Sequence, residues 1–119
     1  MNDSQLLKGI LEGCVLGIIS QGETYGYEII SELEQYGFRD IGEGTLYPIL
    51  TRLDKNGYIR CRKDKSPLGP IRKYYSITNE GMNRLMEFSS DYRKMKQCTD
   101  MILEKAIYKA DSDNNERRE

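Results

Sequence analysis

The stretch Leu46-Tyr47-Pro48-Ile49-Leu50-Thr51-Arg52-Leu53-Asp54-Lys55-Asn56-Gly57-Tyr58-Ile59-Arg60-Cys61-Arg62-Lys63 changes its period halfway along. Leu46, Ile49, Leu50 and Leu53 recur every three or four positions, the spacing of one helical face, and Asn56-Gly57 supplies residues that end a helix. From Tyr58 to Lys63 the pattern alternates at every second residue. It does so again from Ile71 to Ile77, with Ser66-Pro67-Leu68-Gly69-Pro70 between the two runs. Two alternating runs joined by a proline and glycine loop make a β-hairpin, so a helix leads directly into a pair of strands. Pro48 has no N–H to donate, which places it near the first turn of that helix.

Toward the N-terminus, Phe38 to Gly44 reads as a connector, preceded by a helix in which Tyr27, Ile29, Ile30, Leu33 and Tyr36 fall at three- and four-residue spacing and Gly37 is the stop. Before it, the pairs Leu6/Leu7, Ile10/Leu11, Cys14/Val15 and Ile18/Ile19 repeat every four residues and predict a first helix that breaks at Gln21-Gly22-Glu23. Gly9, Gly13 and Gly17 form a second stripe on it, which either admits a close-packed backbone or is simply tolerated. After the hairpin, Thr78 is suited to cap a long helix. Within it Leu85, Phe88, Tyr92, Met95, Thr99, Ile102 and Ala106 alternate three and four apart as a heptad seam. The expected fold is mainly α with a small β-hairpin: a winged helix-turn-helix domain over residues 1–77, a C-terminal helix over 78–110 and a polar, disordered tail over 111–119.

Composition narrows the function. The 119 residues contain no histidine and no tryptophan, which excludes Ser-His-Asp and Cys-His catalysis and any zinc site that needs imidazole. Cys14, Cys61 and Cys98 are too far apart for a CxxC pair; Cys14 reads as an inert core residue, and the other two show no resolving partner for redox sensing. No metal or cofactor is expected, and no enzyme. The longest apolar run, Leu6 to Ile19, contains Lys8 and Glu12, is shorter than the ~20 residues that a bilayer needs, and starts too early to follow a charged leader. The expectation is a soluble chain in the cytoplasm with no membrane partner.

The net charge of −1 hides a strong asymmetry. Residues 1–40 carry two basic and seven acidic side chains, residues 41–75 carry eight and three, and the rest carry eight and nine. The basic segment coincides with the third helix and the hairpin, the two elements that a winged helix lays on DNA. Opposite the apolar stripe of that helix lie Thr45, Tyr47, Thr51, Arg52 and Lys55, which are donors to phosphates or base edges, and the hairpin adds Arg60, Arg62, Lys63, Lys65, Arg72 and Lys73. Tyr74 and Tyr75 sit on adjacent strand positions and face opposite ways, so one of them belongs to the core.

At these residues the chain resembles the PadR family of bacterial transcriptional regulators. The matching runs are Gly26-Tyr27-Glu28-Ile29, then Glu43-Gly44-Thr45-Leu46-Tyr47-Pro48 with Arg52-Leu53 and Gly57, then Gly69-Pro70 and Arg72-Lys73-Tyr74-Tyr75, followed by Thr78 and Gly81. The resemblance covers about residues 5 to 85, in order, and its combination of motifs is specific. It implies a dimeric winged helix protein, usually a repressor, of the branch with a single long C-terminal helix, and it adds Tyr27, Glu43, Gly44 and Gly69 to the expected DNA-binding set. Two departures stand out: Ile71 where the family often has arginine, and Tyr92 where drug-sensing members carry tryptophan.

The partners expected on this reading are double-stranded DNA with an inverted-repeat operator, a second copy of the chain, and an aromatic small-molecule effector. Leu85, Phe88, Tyr92, Met95, Ile102 and Ala106 are the expected dimer interface. Phe88, Tyr92 and Met95 double as an effector pocket, although an aromatic and methionine stripe equally serves as plain interface. The competing reading is a winged helix that only binds proteins, which calls for an apolar patch where this chain has a basic helix and wing.

Overall fold

The structure, a computed structural model, describes residues 5–65 and 68–118, with side chains as far as 115, so Ser66 and Pro67 of the hairpin loop lie outside the described residues. In order come α1 (Gln5–Ile19), β1 (Thr24–Tyr25), α2 (Gly26–Gln35), α3 (Glu43–Lys55), β2 (Ile59–Lys65), β3 (Ile71–Ile77) and α4 (Asn79–Arg118). This is a winged helix: α2 and α3 form the helix-turn-helix, and β2 with β3 forms the wing.

Leu46, Ile49, Leu50 and Leu53, the stripe read from the sequence, are all buried. They pack in one cluster with Leu11, Val15, Leu16 and Ile19 of α1, Ile29 and Leu33 of α2, and Ile59 and Tyr75 of the wing. A thirteen-residue helix containing Gly44 and Pro48 is marginal alone, and burying each of these side chains contributes roughly 1.5–3 kcal/mol, so tertiary contact holds α3. Pro48 lies in the second turn of α3, deeper than its missing N–H predicts, because the helix already begins at Glu43 within the expected connector. The Gly42 carbonyl accepts the first N–H groups, from Thr45 and Leu46.

The sheet has three strands, not two, in the antiparallel order β1-β3-β2. Thr24 pairs with Tyr75 and Tyr25 with Tyr74, while the wing runs from Ile59 opposite Ile77 to Lys65 opposite Ile71. A two-residue strand has no alternation to detect, so only the partner strand reveals β1.

One junction joins α3, the wing and α4. At the end of α3, Gly57 takes a left-handed φ of 77°, and the Tyr58 N–H donates to the Leu53 carbonyl at 2.9 Å while the Gly57 N–H donates to Asp54 at 3.0 Å. The Thr78 hydroxyl donates to the Gly57 carbonyl at 2.6 Å and accepts the Gly81 N–H at 3.0 Å, and the Thr78 N–H donates to the Tyr58 carbonyl at 3.0 Å. Thr78 thus caps α4, as its position predicts, and at the same time ties it to the end of α3. Gly81 fits there because a Cβ would collide with the Tyr58 carbonyl and come within 2.7 Å of the Ile77 side chain.

The chain parts into two compact units between Met86 and Glu87, and the first turns of α4 pack with the first of them through Gly81 and Leu85. The second unit is the rest of α4. It stays helical to Arg118, past the expected end at 110, and Asp111 to Arg118 contain no glycine or proline to stop it. Among the described residues no helix is long and apolar enough to cross a membrane.

Gly81→Ala is expected to destabilise the chain by about 2 kcal/mol and lower its thermal midpoint by roughly 10 °C. Gly9→Ala, at an open and exposed helical position, is expected to be neutral or slightly stabilising, and circular dichroism melts of the two variants check the contrast.

Candidate nucleic-acid interface

Because its four buried residues fix the rotation of α3, the outward side follows at roughly 100° per residue. Gly44, Pro48, Thr51 and Lys55 lie opposite the core and are exposed. Tyr47 and Glu43 fall on one flank, toward α2 and the wing. Thr45 and Arg52 fall on the other, toward α1. Contacts bear this out: the Tyr47 hydroxyl stands 3.0 Å from where a Cβ on Gly26 would be, so the ring lies close across the start of α2 and a side chain there would press on it. Arg52 faces Glu12 of α1 at 3.8 Å, an exposed pair of little energetic weight. Thr45 borders a small hollow of about 200 Å³ with Lys8 and Arg39. The Thr51 hydroxyl donates to the Tyr47 carbonyl at 2.9 Å, which leaves its lone pairs to accept from a base.

The wing sorts its cations by strand alternation. Tyr75 is the buried member of the tyrosine pair, so residues in its phase face the domain and those in the phase of Tyr74 face outward. On the outward face Arg62 lies over the Tyr74 ring, 4.8 Å from its centroid, and hydrogen-bonds Glu23 at 2.7 and 3.3 Å and Asp64 at 3.3 Å. These bonds push the Arg62 guanidinium above its ordinary pKa and hold Glu23 below its own. Arg62, one of the wing cations read as a donor to DNA, is therefore engaged within the protein. Arg72, on the same face, lies over the Tyr25 ring at 4.5 Å, and a hydrogen bond with Tyr74 raises its pKa. Tyr25 and Tyr74 meet edge to face at 5.7 Å. In the other phase Lys63 stands directly opposite Lys73, with Lys65 opposite Ile71.

An open cleft of about 1090 Å³ lies between the starts of α2 and α3 and the wing. Tyr27, Glu43 and Tyr47 line its helical side, and Lys65, Gly69, Arg72 and Lys73 line the wing side. Seven of the twelve expected DNA-binding residues thus share one cleft. Gly44, Thr51 and Lys55 lie on the neighbouring outward face of α3, and Thr45 and Arg52 on its far flank. The sequence reading missed Tyr25, which also lines the cleft and which only the pairing of β1 with β3 brings there. Among the described residues no cluster of acidic side chains and cysteines could hold a metal ion.

Of the residues expected at a dimer interface, Leu85 packs against the core of its own domain. In the second unit the Phe88 and Tyr92 rings stack at 6.2 Å, and Tyr92, Met95, Ile102 and Ala106 are exposed. Leu103 and Ile107 widen this apolar stripe and are exposed too.

The model of the transcriptional regulator PadR-like family matches residues 15–87. A Streptococcus transcriptional regulator of known crystal structure is 46% identical, over 84% of this chain and 98% of its own, with a TM-score of 0.73. A PadR-like transcriptional regulator from Bacillus cereus is 45% identical, over 84% and 97%, with a TM-score of 0.74. Bacillus subtilis PadR, solved in complex with operator DNA, is 27% identical over 66% of this chain and 46% of its own, with a TM-score of 0.61.

The Glu23–Arg62 pair carries a pH dependence of defined sign. The native carboxyl sits below its ordinary pKa of 4.5, so the unfolded state binds this proton more readily; the stabilisation is complete above 4.5 and fades as pH falls through the lower native value. Wild type is expected to melt above Glu23→Gln at neutral pH. The gap should close on acidification, once Glu23 is protonated in both states, and melts over a pH series check this.

Proposed function

The chain belongs to the PadR-like family of transcriptional regulators, and from that premise we propose that it is a homodimeric repressor that binds an inverted-repeat operator in double-stranded DNA. The observation that carries the reading is the shared cleft, where Lys65, Arg72 and Lys73 of the wing face Tyr27 and Tyr47 beside the outward face of α3. Such an arrangement puts phosphate donors on one side of a helix of the right size for a major groove, with Thr51 and Lys55 aimed at the bases. The operator complex of the Bacillus subtilis relative supports DNA as the partner. Lys63, Lys65, Arg72 and Lys73 outnumber the exposed Leu68 and Ile71 on the wing, and this cationic character favours DNA over a purely protein-binding role.

The dimer forms through the second unit, where Phe88, Tyr92, Met95, Ile102 and Ala106 line one stripe, half-buried at Phe88 and exposed at the other four. Phe88, Tyr92 and Met95 take a flat aromatic effector, whose differential affinity for two arrangements of the dimer sets the response. The stacked Phe88 and Tyr92 rings suit such a guest. The protein works in the cytoplasm, without cofactor and without catalysis.

A duplex selected from a random pool is expected to bind with an affinity that falls linearly in log–log form with salt. Arg72→Ala with Lys73→Ala weakens selected and random duplexes alike and lowers the salt slope by about 2, while changes at Thr51 act on the selected sequence alone. Unchanged affinity and slope in the double variant defeat the contact assignment. Tyr92→Glu with Ile102→Glu is expected to give monomers by sedimentation, with much weaker binding to the selected duplex. A double variant that stays dimeric places the interface elsewhere.

A further inference from the structure

We propose that Tyr25 is a positioning residue for Arg72, its ring holding the guanidinium ready at the cleft so that a DNA phosphate meets an arginine already in place. The proposal rests on the DNA-binding reading above and concerns how one contact of that site is built. Arg60, Arg62 and Arg72 all project from the outward face of the wing, and two of them have sharply different surroundings. Arg62 lies on a ring and is held by two carboxylates. Arg72 lies on a ring with no carboxylate ion pair among the described residues, although Asp64 stands opposite it in the ladder. The Asp64 carboxylate turns to Arg62 instead, at 3.3 Å.

The distinction matters chemically. A carboxylate partner neutralises a guanidinium and occupies the N–H edges that would grip a phosphate. An aromatic face attracts the cation, 4.5 Å from the ring centroid here, without neutralising it, and the hydrogen bond with Tyr74 engages only part of its five N–H groups, so the others stay available to a phosphate. An unsupported arginine at the end of a strand is free over many rotamers, and binding must then order it; a stacked one arrives with much of that ordering done.

The ring is itself held. Tyr25 is fixed in the ladder opposite Tyr74 and meets its edge at 5.7 Å; Tyr74 lies under Arg62; and Arg62 is anchored by Glu23, two residues before Tyr25. A two-residue strand that adds little to the sheet therefore delivers one side chain to one place. Tyr25 lines the same cleft as Lys73 and Tyr27, so Arg72 is held where the other expected contacts converge.

The test is a double-mutant cycle on the full chain, read as affinity for one duplex selected from a random pool, with melts to establish that each variant folds. Tyr25→Leu is expected to weaken binding about two- to fivefold, the range of an exposed cation–π contact. Tyr25→Phe, which keeps the ring, should bind as wild type does. In the Arg72→Ala background Tyr25→Leu should cost nothing further, which a merely structural role of the ring would not predict. Full affinity in Tyr25→Leu beside a weakened Arg72→Ala overturns the positioning and leaves the DNA contact standing. An equal loss from Tyr25→Leu with and without Arg72 overturns it too. Wild-type affinity in Arg72→Ala overturns the contact itself, and the inference with it. Should Tyr25→Leu not fold, the wild-type chain decides: the Arg72 Nε–H resonance must show an upfield ring-current shift, and its absence overturns the proposal.

Discussion

The hydroxyl of Thr78 is the point on which the DNA-reading geometry depends. It joins the last turn of α3, the base of the wing and the first turn of α4 through a bond donated to Gly57 and one accepted from Gly81. A winged helix must hold its reading helix and its wing at a fixed separation, because both have to meet one duplex at once. Core packing orients α3 about its axis. The Thr78 bonds fix where the wing leaves it, and the close approach of Gly81 leaves no room for a side chain that would lever them apart.

Within that frame, alternation in the wing does the sorting. A one-residue offset in a period of two separates Arg72 and Arg62, on the outward face, from Lys63, Lys65 and Lys73, in the phase of the buried Tyr75. The outward arginines stack on tyrosines and one is tied by acids, whereas the lysines reach past the end of the core with no carboxylate ion pair among the described residues. Counting positive charges along the segment says that an anion is welcome there. Only the register says which cations remain available for it.

The fold was legible where periodicity is long. The stripe of α3, the two alternating runs of the wing and the Thr78 cap all stand where their side-chain spacing puts them. Local pattern failed where a partner decides the outcome. Thr24-Tyr25 is a strand only because β3 lies beside it, and Leu85 continues the heptad of α4 in sequence yet packs on the domain core. Pro48 sits deeper in α3 than its backbone chemistry alone suggests, since α3 starts earlier than its first apolar residue. For the candidate site, residue type identified the wing cations, but Arg62 could be set apart from Arg72 only by seeing where Glu23 and Asp64 point.

The facing lysines in the wing carry a further consequence. Lys63 and Lys73 occupy directly opposed ladder positions, where like charges oppose pairing. The free protein is therefore locally frustrated at this rung: hydrogen bonding draws the strands together while the side chains repel. An anion seated between the two ammonium groups removes that conflict, so part of what it gains on arrival is the relief of a repulsion built into the fold.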